Sequence, residues 1–218
     1  LGELKDMIIT TDGHISYSVM EIEKFLELGE KLTLVPLNAL NMSFGSETVY
    51  METETDALSN VPTYEPGKLP DTGKPDWDSR LRSYWQRGTE AKSEAPSVTF
   101  VDTPEELSDP EGLPASVLVG MNVENGEGES FGKVEEILVD LAEATADFAV
   151  VGIGGFLGIG EKEVAVPFES FSWDIENRKL ILKASREKIE NAPEFDMTDF
   201  LGRSGVGNQQ EILRYWNK

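Results

Sequence analysis

The sequence predicts a mainly β protein, built as two small antiparallel β-barrels, each followed by short helices. Three observations predict it. First, one segment occurs twice. Phe25-Leu26-Glu27-Leu28-Gly29-Glu30-Lys31, running on to Val35-Pro36, recurs as Phe156-Leu157-Gly158-Ile159-Gly160-Glu161-Lys162, running on to Val166-Pro167. The offset is 131 residues and holds without a gap from Tyr17/Phe148 to Trp85/Trp216. Between Tyr17–Glu65 and Phe148–Asp196, 11 of 49 positions are identical, where chance at average composition gives roughly three. Second, both copies break into short β-prone runs separated by turn residues. Third, 218 residues with 39% hydrophobic content suit two modest cores. No apolar run approaches the ~20 residues that span a bilayer.

In the second copy, Val117–Val123 reads as a strand, followed by the polar turn Glu124–Glu129. Phe131-Gly132 then aligns with Leu1-Gly2, so the first copy lacks a counterpart of that strand. The chain is therefore expected to be an N-terminally incomplete version of a longer protein. Val134–Leu141 places Ile137, Val139 and Leu141 at period two, the pattern of a half-buried strand. Phe148–Ile153, the glycine-rich turn Gly154–Gly160, Val164–Val166, Phe168–Trp173 and Lys179–Leu182 complete the set, with Asp174–Arg178 as a hairpin turn. The first copy matches with Leu4–Thr10, His14–Ile22, Leu32–Val35, Leu37–Met42 and Thr48–Glu52. So many short antiparallel strands in so few residues favour a barrel, which leaves few unpaired edges.

Each copy continues into a capped helical turn. Thr55 or Ser185 serves as N-cap, Leu58 or Ile189 faces inward, and Asn60-Val61-Pro62 or Asn191-Ala192-Pro193 stops the turn. A second short helix follows, Arg80–Trp85 or Glu211–Trp216. Leu81, Tyr84 and Trp85, and likewise Ile212, Tyr215 and Trp216, fall on one helical face, which a two-turn helix must bury to persist. The expected domains are a first repeat over 1–85, an acidic linker over 86–114 and a second repeat over 115–218. In the linker, Val98, Phe100 and Val101 mark Ser97–Val101 as the one β-prone run that could complete the first barrel.

Charge and composition exclude several functions. With 41 acids against 19 bases, net −22, the surface repels nucleic-acid phosphates and anionic headgroups. It favours solubility, basic partners or divalent cations. The cluster Arg178, Lys179, Lys183, Arg186 and Lys188 reads as an exposed edge, where cations protect against strand addition. With no cysteine, disulfides, thiolate metal sites and thiol catalysis are excluded.

The glycine-rich segment Gly152–Lys162 does not fit a nucleotide loop. Glu161 stands between the last glycine and Lys162, and the first copy carries Glu21, Glu23 and Glu27 where the second has Gly152, Gly154 and Gly158. His14, the sole histidine, cannot build a typical zinc site or a Ser–His system alone. Asp71, Asp76 and Asp78 lack EF-hand spacing and its closing Glu. Trp85 and Trp216 hold equivalent positions beside Tyr84 and Tyr215, as anchors of the terminal helix or as a shared docking surface. No catalytic, cofactor-binding or metal-ligating residue is assigned, and no cofactor is expected.

Gly154–Pro167, with the sequence Gly-Gly-Phe-Leu-Gly-Ile-Gly-Glu-Lys-Glu-Val-Ala-Val-Pro, closely resembles the signature turn of PRC-barrel domains. Phe131-Gly132-Lys133-Val134 and Asn191-Ala192-Pro193-Glu194-Phe195 resemble the family as well. The family includes the cytoplasmic domain of the photosynthetic reaction centre H subunit and the C-terminal domain of the ribosome-maturation factor. The resemblance covers both copies, more weakly the first. It implies a small β-barrel that binds proteins and stabilises assemblies, with no catalytic residues to carry over. Tandem copies are similar to bacterial envelope proteins, which implies the periplasm or envelope over the cytoplasm.

The expected function is that of a non-enzymatic protein-interaction or assembly module, with a protein partner or self-association, no nucleic acid and no direct membrane insertion. The alternative is a small-molecule or divalent-cation binding protein that uses its acidic surface.

Overall fold

The computed structural model of the chain describes residues 2–22, 31–42, 49–50, 61–65, 79, 81, 83–85, 112–154, 162–202 and 206–217. It is mainly β, with two curled, largely antiparallel sheets that form half-barrels. Two compact units divide it: Leu1–Thr10 with Ile15–Leu113, and Thr11–His14 with Pro114–Lys218.

In the first unit, β1 (Gly2–Ile9), β2 (Ile15–Ile22) and β3 (Lys31–Val35) form an antiparallel sheet. Pro36 ends β3 with φ −56° and ψ 136°, and Leu37–Ala39 form one 3-10 turn. β4 (Asn41–Met42) and β5 (Val49–Tyr50) pair as a separate two-stranded ladder. Ile8, Ile9, Leu34 and Val35 are buried in its core. Two polar side chains are buried with them, each matched to a carbonyl: Ser18 Oγ donates to Val35 O (2.9 Å) and Thr33 Oγ1 to Pro62 O (2.8 Å).

The outer neighbour of β1 is β6 (Leu113–Pro114), so the last two residues expected to belong to the linker are strand. Gly112 makes that approach possible, because a Cβ there would stand 2.7 Å from Ile8 Cγ2 and 3.2 Å from Ile9 O. Ser97–Val101, the expected donor, lies outside the described residues, as do Thr55, Leu58 and Asn60.

The second unit opens with a correction. Val117 and Leu118 were expected in a strand but lie in a single helical turn, α1 (Ala115–Leu118). Pro114 enters it with an extended backbone, Leu118 is fully buried, and Gly120 turns the chain out at φ 85°. The β-branched run misled because four residues carry too little pattern to separate a helical turn from a strand. The strand itself, β7, is Asn122–Glu124.

The rest follows as β8 (Ser130–Asp140), β9 (Thr145–Ile153), β10 (Lys162–Pro167), a 3-10 turn over Phe168–Ser170, β11 (Phe171–Asp174) and β12 (Lys179–Leu182). The strand order is β10-β9-β8-β7-β12-β11, with β7 parallel to β12 and the other pairs antiparallel. Phe168–Trp173 was expected as one strand; its first three residues coil because Pro167 supplies no N–H to continue a ladder. Leu37 coils at the matching place after Pro36.

The helices α2 (Arg186–Glu190), α3 (Met197–Gly202) and α4 (Val206–Trp216) follow. Ser185 caps α2 by accepting from Lys188 N at 3.1 Å, as the sequence predicts. α4 is longer than the expected Glu211–Trp216, extending back to Val206. Met197, Phe200 and Ile212 pack on a buried group of Phe148, Val150, Ala165 and Phe195, so β9 is covered on both faces.

The two units share their internal register. Gly2↔Ile22 in the first matches Gly132↔Ile153 in the second, and Leu4↔Met20 matches Val134↔Val151. Register shifts fall between Leu4/Asp6 and Ile8/Ile9, and between Val134/Glu136 and Leu138/Val139. Bulges at matched positions bend both sheets alike, and the turns after them hold Gly13 and Ala144 at positive φ.

Candidate interaction surface

The exposed edge of β10 is closed by groups that lie far along the chain. Phe195 N donates to Glu163 O (2.8 Å), and Trp216 Nε1 donates to Ala165 O (2.8 Å). These alternate carbonyls point away from β9 and would otherwise offer acceptors to an incoming strand. The first unit does the same: Tyr64 N donates to Leu32 O (2.8 Å) and Trp85 Nε1 to Leu34 O (3.0 Å). Each Trp stands edge-on to the preceding Tyr, with centroids 5.1 Å apart for Tyr84–Trp85 and 5.6 Å for Tyr215–Trp216. Both tryptophans are buried, as the helical spacing predicts.

Four basic residues of the second unit, Lys162, Lys179, Arg186 and Lys188, are held in contacts with other elements. Lys179 Nζ meets Glu124 at 2.8 Å across the β12–β7 pair. Arg186 binds Glu129 and Glu190, donates to Ser130 O (3.1 Å) and lies 5.9 Å from the Phe131 ring centroid. Its hydrogen bonds to Glu129 and then Glu190 hold the guanidinium pKa above the ordinary value. Lys188 donates to Trp216 O (2.9 Å) and stands over the Trp216 ring, and its own carbonyl accepts from the Tyr215 hydroxyl. These contacts tie α2 to α4. Lys162 Nζ donates to the carbonyls of Glu190 and Ala192 at the end of α2, where a cation suits the helix terminus.

A shallow cavity of about 190 Å³ lies over this corner, lined by Phe131, Ile153, Gly154, Lys162, Arg186 and Ile189 among others. Both cations that line it already face carboxylates or carbonyls. The larger apolar side chains exposed among the described residues are Val119, Ile175 and Leu213.

The residues weighed in the sequence are not gathered into a reaction centre among the described residues. His14 forms an isolated antiparallel bridge with Thr145. Of the glycine-rich segment, Gly152 lies in β9 and Gly154 turns at φ 77°, while 155–161 lie outside the described residues. Asp71, Asp76, Asp78 and Trp77 also lie outside them. Among the described residues, no group of three or more His, Cys, Asp or Glu side chains could hold a metal ion, and no helix is long and apolar enough to cross a membrane.

One feature was not legible in the sequence. Trp173 buries its Nε1 without a hydrogen-bond partner, held edge-on to Phe168 at 6.0 Å. Glycine 132 is required by its neighbour, since a Cβ there would overlap the Gly152 carbonyl oxygen. Its place beside Gly2 in the repeat is the signal that pointed to it.

No curated protein matches the chain. The family model of the PRC-barrel domain matches residues 110–189, which run from the approach to β6 through α2 and stop before α3 and α4. A PRC-barrel domain is therefore found at residues 110–189, and the Trp216 helix that caps its β10 edge lies beyond the matched span.

Proposed function

We propose that the chain is a non-enzymatic interaction or assembly module built from two PRC-type barrels, with residues 1–85 as the first copy. The PRC-barrel match at 110–189 carries this reading. It is supported by the way titratable side chains in the second unit are used: Lys162, Lys179, Arg186 and Lys188 all hold strands and helices together. The shared registers and the paired indole caps support a second copy in the first unit.

The test is cross-linking of the tagged full chain in its source organism, followed by reconstitution with the cross-linked protein. A complex of fixed stoichiometry in size-exclusion chromatography, or concentration-dependent self-association in sedimentation, is expected. A chain that stays monomeric and yields no cross-linked species above control overturns the reading.

A further inference from the structure

In the second unit, α4 is held mainly by its last turn. Of residues 209–217 Trp216 is the one buried, while Gln210, Glu211, Leu213 and Arg214 are exposed. The polar attachments sit at the same end: Trp216 Nε1 donates to Ala165 O, the Tyr215 hydroxyl to Lys188 O, and Lys188 Nζ to Trp216 O. One turn back, Ile212 rests on the group of Phe148, Val150, Ala165 and Phe195. A helix of 11 residues is marginal alone, so it depends on these few contacts. Elements of this kind open locally while the core stays folded. Beneath the helix lies β10, the last strand in its sheet, with β9 as its ladder partner. The carbonyls of Glu163 and Ala165 face away from β9, toward Phe195 N and Trp216 Nε1. In an antiparallel strand the N–H of each such residue points the same way as its C=O. Pro167, next on that side, has no N–H to offer.

We propose that α4 is a latch over β10, and that when its last turn lifts, β10 pairs antiparallel with β10 of a second copy, centred on Val164. The partner is a second copy because the edge is self-complementary about a two-fold axis. Centred on Val164, each Glu163 lies opposite Ala165 of the other copy, and the two exchange both main-chain bonds. The carbonyls that accept them are the same two that Phe195 and Trp216 now occupy. The neighbouring registers are worse. Centring on Glu163 sets two carboxylates opposite one another, which repel. Centring on Ala165 sets Glu163 opposite Pro167, which cannot donate. Net charge of −22 on each copy opposes the encounter, so salt favours pairing and the closed latch prevents it. Phe195 is released with the helix, because Phe200 and Ile212 pack on its group. This inference deepens the interaction reading, on which it rests, by naming the partner.

The test is oxidative cross-linking of the full chain carrying Val164→Cys, which is clean because the chain has no cysteine of its own. Val164 would face itself across the new pair, where side chains stand close enough for a disulfide. Slow dimer formation is expected from this chain, faster at least tenfold when Trp216→Ala is added and at least threefold with Trp216→Phe. The control is Val134→Cys, on β8 with strands on both sides; its cross-linking should not respond to either change. A rate at Val164→Cys that neither Trp216 substitution raises overturns the proposal. So does an equal rise at Val134→Cys, which would report general unfolding. Should Trp216→Ala fold poorly, the Trp216→Phe pair of chains decides alone by the same two criteria. If Val164→Cys fails while the complex cross-linked in the source organism persists, the latch alone is wrong. If both fail, the interaction reading falls with it.

Discussion

Trp216 donates its indole N–H to the main-chain carbonyl of Ala165, 2.8 Å away, and Trp85 does the same to Leu34 at 3.0 Å. Donor and acceptor are separated by 51 residues in each unit. The indole thus fills two needs at once. Its ring is apolar surface for the helix to bury, and its N–H satisfies an edge carbonyl that no strand reaches.

The two needs separate by mutation. Trp216→Phe keeps most of the buried ring but orphans the Ala165 carbonyl, and is expected to cost about 1–3 kcal/mol. Trp216→Ala also leaves a cavity and is expected to cost about 3–5 kcal/mol. Urea denaturation of the two variants measures the difference; a Trp216→Phe chain as stable as the unaltered one would mean that the hydrogen bond contributes nothing.

Gly132→Ala should be far more damaging than an ordinary glycine substitution. The new methyl would overlap the Gly152 carbonyl oxygen, so β8 and β9 would have to part where Gly132 opposes Ile153. A loss of at least about 3 kcal/mol is expected, at the top of the range for overpacking. Gly126→Ala, with open space around its Cβ position, is the control. Thermal unfolding of both variants checks the contrast.

Tyr64 predicts an alkaline limb in stability. Burial, and then the charge of Asp6, push its phenol up to about 12 from 10.0. The folded state therefore holds this proton more tightly than the unfolded chain. Its contribution is fully present below pH 10 and is lost as pH rises through about 12. Tyr64→Phe should flatten that limb in the first unit. A limb unchanged by the substitution would assign it to other groups.

Ser185→Ala should remove the cap of α2, because Lys188 N loses its acceptor at 3.1 Å. The expected cost is about 1 kcal/mol. Because α2 also carries the contacts to Trp216, the change should accelerate amide exchange in α4 as well as in α2. Faster exchange confined to α2 would show that the helices are not coupled.

By itself the sequence determined most of the strands, the Ser185 cap and the burial of Trp85 and Trp216. Each of these rests on local spacing or on a match 131 residues away. β12 falls at Lys179–Leu182 because polar turn residues precede it and a cap residue follows within three residues. Tertiary structure decided the rest. Whether Val117-Leu118 coils or extends depends on the pocket that buries Leu118, which no four-residue pattern reveals. Which strand flanks β1 depends on Gly112 letting the chain lie against Ile8 and Ile9, a contact between segments about a hundred residues apart. The basic cluster reads as a patch along the chain, yet in space each of Lys179, Arg186 and Lys188 meets acids, carbonyls or an indole from other elements. Sequence spacing records what a residue needs locally; only folding brings in the distant group that meets the need.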